Sequence, residues 1–550
     1  MSRFQPLMVF ATVFTACVFI DAIDQARAEP ATPESFSPVA REDFRLDDPH
    51  VGPRPMLDFS YAGYALVPES EFPNEDLPVI DVADFGAIPD DGKGDREAIA
   101  AALAAAEDRG GAVVRFASGV YEVNPEPGLD HGLVITGAHV VLRGVREGEG
   151  EPTVLFMEHH LEPTDPNKMW STPSLFTFRL SPEMNKRPKL ARVVSDSRRG
   201  GFEVTIDNPS RLEVGQFVSL EMQNPAANEG LLAGLDTWDI WESTNTKGIQ
   251  VRGERHRIVA IEGNLLKFAE PIHTDITAEH GWDVVACPMQ PGWVVEDLTF
   301  RGDCPEPFVH HKNAMHDGGW SMLSIGRGYA PVVRRCRFID VSCGLSFGAC
   351  YAATAIDLVF EGRQGHTTAG AGGGSYGTLI AFCEDRIELG GFHGFAANQG
   401  AAGTVMYRCR NSNRGFDWHA SGPYATLIDA CTGGLVGNGG NYKNLPNHLQ
   451  DLVFWNFRQT SGPAYRKMEW WESRRDDERY SGPKVVLPIL VGYHGIRSTF
   501  EPSQCLLIES HGRPVQPESL FETQLIRRLG ELPGWIQRRL DPSHQHAARP

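Results

Sequence analysis

Val332-Val333-Arg334-Arg335-Cys336-Arg337-Phe338, Ala355-Ile356-Asp357-Leu358-Val359-Phe360, Thr378-Leu379-Ile380-Ala381-Phe382-Cys383, Thr404-Val405-Met406-Tyr407-Arg408-Cys409 and Thr426-Leu427-Ile428-Asp429-Ala430-Cys431 are five strand-like runs in close succession. Anchored on Cys336, Leu358, Cys383, Cys409, Cys431 and, one step further, Phe454, they recur at intervals of 22, 25, 26, 22 and 23 residues. Self-similarity at this period is the signature of a solenoid, in which each repeat buries its apolar side only by stacking on its neighbours. The anchors then form an internal ladder. Cysteine suits such a place, since an unpaired thiol behaves as a small hydrophobe. The predicted fold is all-β: a solenoid of stacked coils with a small inserted β domain and a C-terminal cap.

Upstream of the repeats, Val79 to Ala87 contains a short strand, Asp90-Asp91-Gly92-Lys93-Gly94-Asp95 is a turn-rich loop, and the Ala-rich run Arg96 to Arg109 carries Ile99 and Leu103 at helical spacing. Gly110-Gly111 stops that helix, and Val113 to Phe116 and Tyr121 to Val123 are the next strands. This order of strand, Asp-Gly loop, Ala-rich helix, Gly-Gly, strand and Gly-x-Tyr turn, from Val79 to Gly144, resembles the start of the pectate lyase superfamily and the polygalacturonase-like β-helix proteins, in the manner of a pectate-lyase-3-type N-terminal segment. The resemblance implies a right-handed parallel β-helix with an N-terminal capping helix that shields the first coil.

The chain divides into a signal peptide (1–28), an irregular leader (29–78), an N-terminal cap with the first coils (79–191), an inserted β-rich domain (192–274), the main coils (275–462) and a C-terminal capping region (463–550). Trp238 and Trp241 sit in a polar stretch of the insertion where a sugar ring could stack, although such aromatics more often cover apolar surface. Beyond Gly462 the Trp470-Trp471 pair, the run Val485 to Val491 and a helix around Ser519 to Leu529 follow.

Arg3, the apolar run Leu7 to Ile20 and the small residues at Ala26-Arg27-Ala28 form a secretory signal, with cleavage near Ala28 and a secreted or periplasmic destination. A lipoprotein site at Cys17 is opposed by Phe14. No later run approaches the roughly 20 apolar residues of a membrane span. A formal net charge of -20 argues against nucleic acid, whose binding needs a basic surface. No Cys-x-x-Cys pair supports a zinc site, and the odd cysteine count left after signal removal favours core packing over disulfides.

His366, His393 and His419 recur at 27 and 26 residues, about one coil apart, and are expected to stack as one stripe. Such a stripe is either a structural ladder or a proton-transferring site, since histidine titrates near neutral pH. Asp417 and His419, two apart on a strand, face the same side. Gly415-Phe416-Asp417-Trp418-His419 resembles the Asp-Pro-His segment of mannuronan epimerases, with Trp418 in place of the proline. His310-His311-Lys312 with His316-Asp317 reads as a loop over the same face, although metal ligation would need a third convergent ligand. No cofactor is expected; calcium is possible, but no ligand loop announces it.

The expected partner is a polysaccharide. β-Elimination from a uronic acid polymer needs a base, a carboxylate neutraliser and an acid, for which His419, Arg414 and Tyr424 or His393 are the candidates. Arg335, Arg337, His311 and Trp418 are expected to contact substrate, within a wider set of arginines at 327, 334, 408 and 410. Hydrolysis needs two carboxylic acids, and Asp417 with Asp429 is the available pair. The Asn-Thr-Asp, Asp-Asp, Gly-His-Gly and Arg-Ile-Lys series of polygalacturonases is missing, which places a lyase above a β-helix hydrolase; a uronate epimerase and a non-enzymatic polysaccharide-binding adhesin are the further alternatives, the latter opposed by the histidine stripe where a binder would show aromatic platforms.

Overall fold

The computed structural model describes residues 37–541 apart from 42, 49–51, 64–75, 147, 149, 228–247, 420, 436–444, 463–466, 469 and 471–483. The predicted signal peptide and Trp238, Trp241 and Trp471 lie outside the described residues.

Twelve parallel strands, each bonded to the next in chain order, make one long sheet from Val79–Asp81 through Val332–Arg334, Thr354–Ile356, Leu379–Ala381, Ala402–Tyr407 and Tyr424–Asp429 to Leu507–Glu509. A second sheet carries two further tracks. One includes Arg337–Ile339, Val359–Glu361 and Glu384–Asp385; the other includes Ser321–Gly326, Cys343–Gly348, Thr367–Gly372 and Phe395–Asn398. A coil therefore lays one strand on each of three faces, and the fold is a parallel β-helix.

The corner between the first two faces explains the repeat. Arg335, Asp357, Phe382, Arg408, Ala430 and Asn456 all adopt positive φ, between 49 and 56°. A left-handed non-glycine residue costs about 1–2 kcal/mol. Each corner residue nevertheless donates its backbone N–H to the next coil, as from Arg335 to Ile356 O at 3.1 Å and from Asp357 to Ala381 O at 3.2 Å. The kink turns the following residue inward, so Cys336, Leu358, Cys383, Cys409 and Cys431 fill the interior. The sixth anchor is Phe457 rather than Phe454: Arg458 aligns with Thr432, whereas Phe454 aligns with Ile428 inside the strand. All the described cysteines are unpaired, and burial pushes the Cys336 thiol up to about 12, a packing group rather than a nucleophile. Phe300, Phe338 and Phe360 stack beside them at 5.2 and 4.7 Å.

The first sheet is buried on both sides, which is why its strands read as apolar runs without strict alternation. Six antiparallel strands, Lys189–Arg192, Glu203–Thr205, Phe217–Asn224, Ile249–Glu262, Leu265–Phe268 and Asp283–Ala286, cover its outer face. Val218, Leu220 and Ile258 join Val332, Ile356, Leu379 and Leu427 in one cluster, each contributing about 1.5–3 kcal/mol by burial. This sheet runs beyond 192–274 at both ends because Lys189–Arg192 pairs with Asp283–Ala286, the strands by which the chain leaves and rejoins the coils.

The helix Arg96–Asp108 buries Ile99, Ala102, Leu103 and Ala106 with the first coil's strands. At the other terminus, Leu520–Leu529 and Gly534–Leu540 lie along the flank of the coils, where a lid over the second end was expected. Asp429 accepts from Leu520 N (3.0 Å) and Phe521 N (3.1 Å), Arg539 Nε donates to Asp357 Oδ1 (2.9 Å), and Gln524 holds the leader through Phe59 N and Leu57 O. Among the described residues no helix is long and apolar enough to cross a membrane.

Candidate functional site

The chain leaving Thr299–Arg301 loops out before the short helix Ala314–Gly318, whose cap Asn313 accepts from His316 N at 3.0 Å. Asp317, 1% exposed, accepts from His311 N at 2.9 Å and so pins the His310-His311 pair at the loop's tip. Beneath the tip, His366 and His393 precede the third-face strands Thr367–Gly372 and Phe395–Asn398, stacked through His393 N to His366 O at 2.9 Å. Four imidazoles meet there. Ring centres are 5.2 Å apart for His310–His366, 5.3 Å for His310–His393, 4.9 Å for His366–His393 and 3.6 Å for His310–His311. Phe392 stacks on His310 at 4.0 Å, and Phe308 lies 6.1 Å from His366.

Two buried carboxylates back this cluster. Asp417 Oδ2 accepts from His393 Nδ1 at 2.7 Å, which orients that ring and turns its Nε2 away from the carboxylate. Asp317 Oδ2 lies 3.8 Å from His311 Nε2, and His311 is the exposed member with 46% of its side chain open. Burial, then the neighbouring His311, His366 and His393, hold His310 down at about 4, so it is neutral at neutral pH. Its Nε2 is shut off from solvent with no hydrogen-bond partner among the described residues.

Of the predicted site residues, the fold gathers His311, His366, His393 and Asp417. His419 does not continue the stripe. Phe395 aligns with Phe416 and Asn398 with His419, so the position beside His393 in the next coil is Arg414, and His419 sits about 16 Å further along the strand. The 26-residue spacing misleads because Arg410–His419 is one unbroken strand serving two faces; the intervening loop is lost and the coil advances only 21 residues. The side chains of His419 and Arg414 lie outside the described residues. Trp418 points inward, 1% exposed against Phe454 and Trp470, and offers no stacking platform. Four of the arginines are spent on acidic residues, while Arg327 donates to Cys287 Sγ at 2.9 Å. Arg335 grips Asp297 (2.6 Å), Arg337 pairs with Glu361, Arg334 with Glu296 (2.6 Å), and Arg408 with Glu522 and Glu518.

Tyr424 lies on another face altogether. Its hydroxyl donates to Glu254 Oε2 at 2.8 Å within a closed network between the antiparallel sheet and the first sheet. There His256 Nδ1 is 2.9 Å from Glu270 Oε1 and its Nε2 3.7 Å from Glu254 Oε1, while Tyr351 donates to Glu270. Burial alone would depress His256, but its hydrogen bonds and the charges of the two glutamates push it up to about 9. Beside this network a cavity of about 730 Å³ is lined by Arg187, Arg255, Arg327 and Glu221. Glu254, His256 and Glu270 lie close in the chain, but Tyr351 and Tyr424 come from distant strands of the first sheet, so nothing in the local sequence announces the network as a whole. Asp429 is likewise removed from Asp417: it caps the terminal helix, and burial pushes its carboxyl up to about 7.

Residues 390–539, which include His393 and Asp417, match the family described as "Domain of unknown function (DUF4955)". No curated protein matches the chain. Among solved structures, the tailspike protein gp49 of Pseudomonas phage LKA1 is similar at 12% identity, with a TM-score of 0.41 over 79% of this chain and 81% of that one. The Streptococcus pneumoniae adhesin PfbA is similar at 10% identity and a TM-score of 0.39, covering 80% and 87%. The A-module of the Azotobacter vinelandii mannuronan C-5 epimerase AlgE6 is similar at 12% identity and a TM-score of 0.31, covering 78% and 98%.

Proposed function

We propose that the protein is an exported enzyme that acts on an acidic, uronate-containing polysaccharide and cleaves it by β-elimination at the histidine cluster. The observation that carries this reading is the pairing of two carboxylate-backed histidines of opposite exposure, His311 with Asp317 and His393 with Asp417, at one rim of a solenoid face. His311 reaches solvent and is placed to take the ring proton. Lys312, exposed beside it, is the cation at hand for the leaving oxygen. His366 and His393 floor the site where the uronate carboxylate would rest. Proton transfer by a positioned group is worth about 10²–10⁴-fold in rate. The carboxylate pair that hydrolysis would use, Asp417 with Asp429, is divided between the histidine cluster and a helix cap. Incubation with alginate, pectate and glycosaminoglycans tests the reading. An unsaturated, ultraviolet-absorbing product is expected from one of them, and new reducing ends without that chromophore would overturn elimination in favour of hydrolysis.

A further inference from the structure

We propose that His310, His366 and His393 bind one divalent transition-metal ion, with Asp417 orienting His393 toward it, and that this ion receives the substrate carboxylate. The last clause rests on the lyase reading; the metal site does not. One candidate ligand atom on each of the three imidazoles lies within 4.8 Å of the other two. Tetrahedral zinc with Zn–N bonds of about 2.0–2.1 Å needs nitrogens about 3.3 Å apart, a closure that side-chain rotation supplies because His310 rides on a loop tip.

Three further observations point to a ligand. First, His310 presents a buried nitrogen without a hydrogen-bond partner among the described residues, a costly arrangement unless something else occupies its lone pair. Second, the Asp417–His393 hydrogen bond at 2.7 Å is the carboxylate–histidine arrangement that fixes a ligating ring and raises its basicity. Third, Phe308 and Phe392 wall the cluster with apolar rings, which limits water on one side while the His311 side stays open. Three protein ligands with one open direction describe a metal that can take a substrate oxygen as its fourth ligand. An all-imidazole set selects Zn²⁺, Co²⁺, Ni²⁺ or Cu²⁺ over Ca²⁺, which takes oxygen. The sequence reading laid the His310-His311 loop over the same face and asked for a third convergent ligand; spacing could not show which coil residues supply it, since His310 lies more than fifty residues before His366.

The test uses the full chain, stripped with a chelator and titrated with Zn²⁺ by calorimetry, then with Co²⁺ as a visible-absorbing reporter. One ion per chain is expected, with a tetrahedral cobalt spectrum. His366→Ala and His393→Ala should abolish it, the milder His366→Gln should weaken it at least 10-fold, and Asp417→Asn should weaken it about 10–100-fold, with circular dichroism showing each variant folded. No bound ion, or binding that survives His366→Gln and His393→Ala, overturns the site. Metal binding without any processed polymer would leave the site standing and remove the lyase reading. Elimination by fully chelated protein with no ion bound would keep the lyase reading and overturn the ion's role in receiving the carboxylate.

Discussion

Two of the places where histidines meet carboxylates in this molecule differ in arithmetic. Under the antiparallel sheet, His256 stands between Glu254 and Glu270, all three wholly buried, and the surplus of carboxylate keeps the ring charged. At the rim of the coils, four imidazoles face two carboxylates, and burial, then the neighbouring imidazoles, keep His310 neutral. The same side chain is thus a cation at neutral pH in one place and a lone-pair donor in the other. Ratio and access, not residue type, separate a structural lock from a reactive site.

The largest expected effect breaks this contrast at its open end. His311→Ala should lower the rate on the responsive polymer about 10²–10⁴-fold and leave the melting temperature near wild type, because the ring is half exposed; activity assays paired with thermal melts read both. At the closed end the outcome should be opposite. Glu270→Gln leaves His256 short of a counter-charge, costing about 3–5 kcal/mol of stability in denaturant titrations, while the surviving folded fraction keeps its specific activity.

A smaller effect sharpens the comparison through pH. His256 is raised from its ordinary value of 6.5 to about 9, so the folded state holds its proton more tightly than the unfolded state does. Its contribution is complete below pH 6.5 and disappears as pH rises through 9. The stability gap between wild type and His256→Gln should therefore narrow between those pH values by on the order of 2–3 kcal/mol. A gap that stays constant would show that Glu254 and Glu270 do not hold a charged ring.

The repeat was readable in the sequence because the corner geometry forces an inward anchor once per coil, and Cys336, Cys383, Cys409 and Cys431 mark it in the letters themselves. The N-terminal helix was readable because Ile99 and Leu103 fall at helical spacing. Register was not. Phe454 and His419 both fit a period of roughly 25 residues, but hydrogen bonding follows actual strand lengths, and a skipped loop moves every later residue. Asp417 was found through its neighbour His419, yet it serves His393, one coil back. The closed network escaped for a different reason: Tyr351 and Tyr424 meet Glu270 and Glu254 only through the packing of two sheets.

The flank that the terminal helices and leader share has a consequence for how the solenoid comes apart. An open repeat array can fray from either end, rung by rung, because each repeat touches only its neighbours. Here Ser37 N donates to Gln516 O at 2.8 Å, Arg54 reaches Asp451 at 2.8 Å and Arg539 reaches Asp357, so segments from both ends of the chain are laced to middle and late coils. Loosening a terminus means first unlacing the middle. The coils that carry the histidines are therefore held inside one cooperative unit, and the array trades the gradual melting of a linear stack for a single threshold.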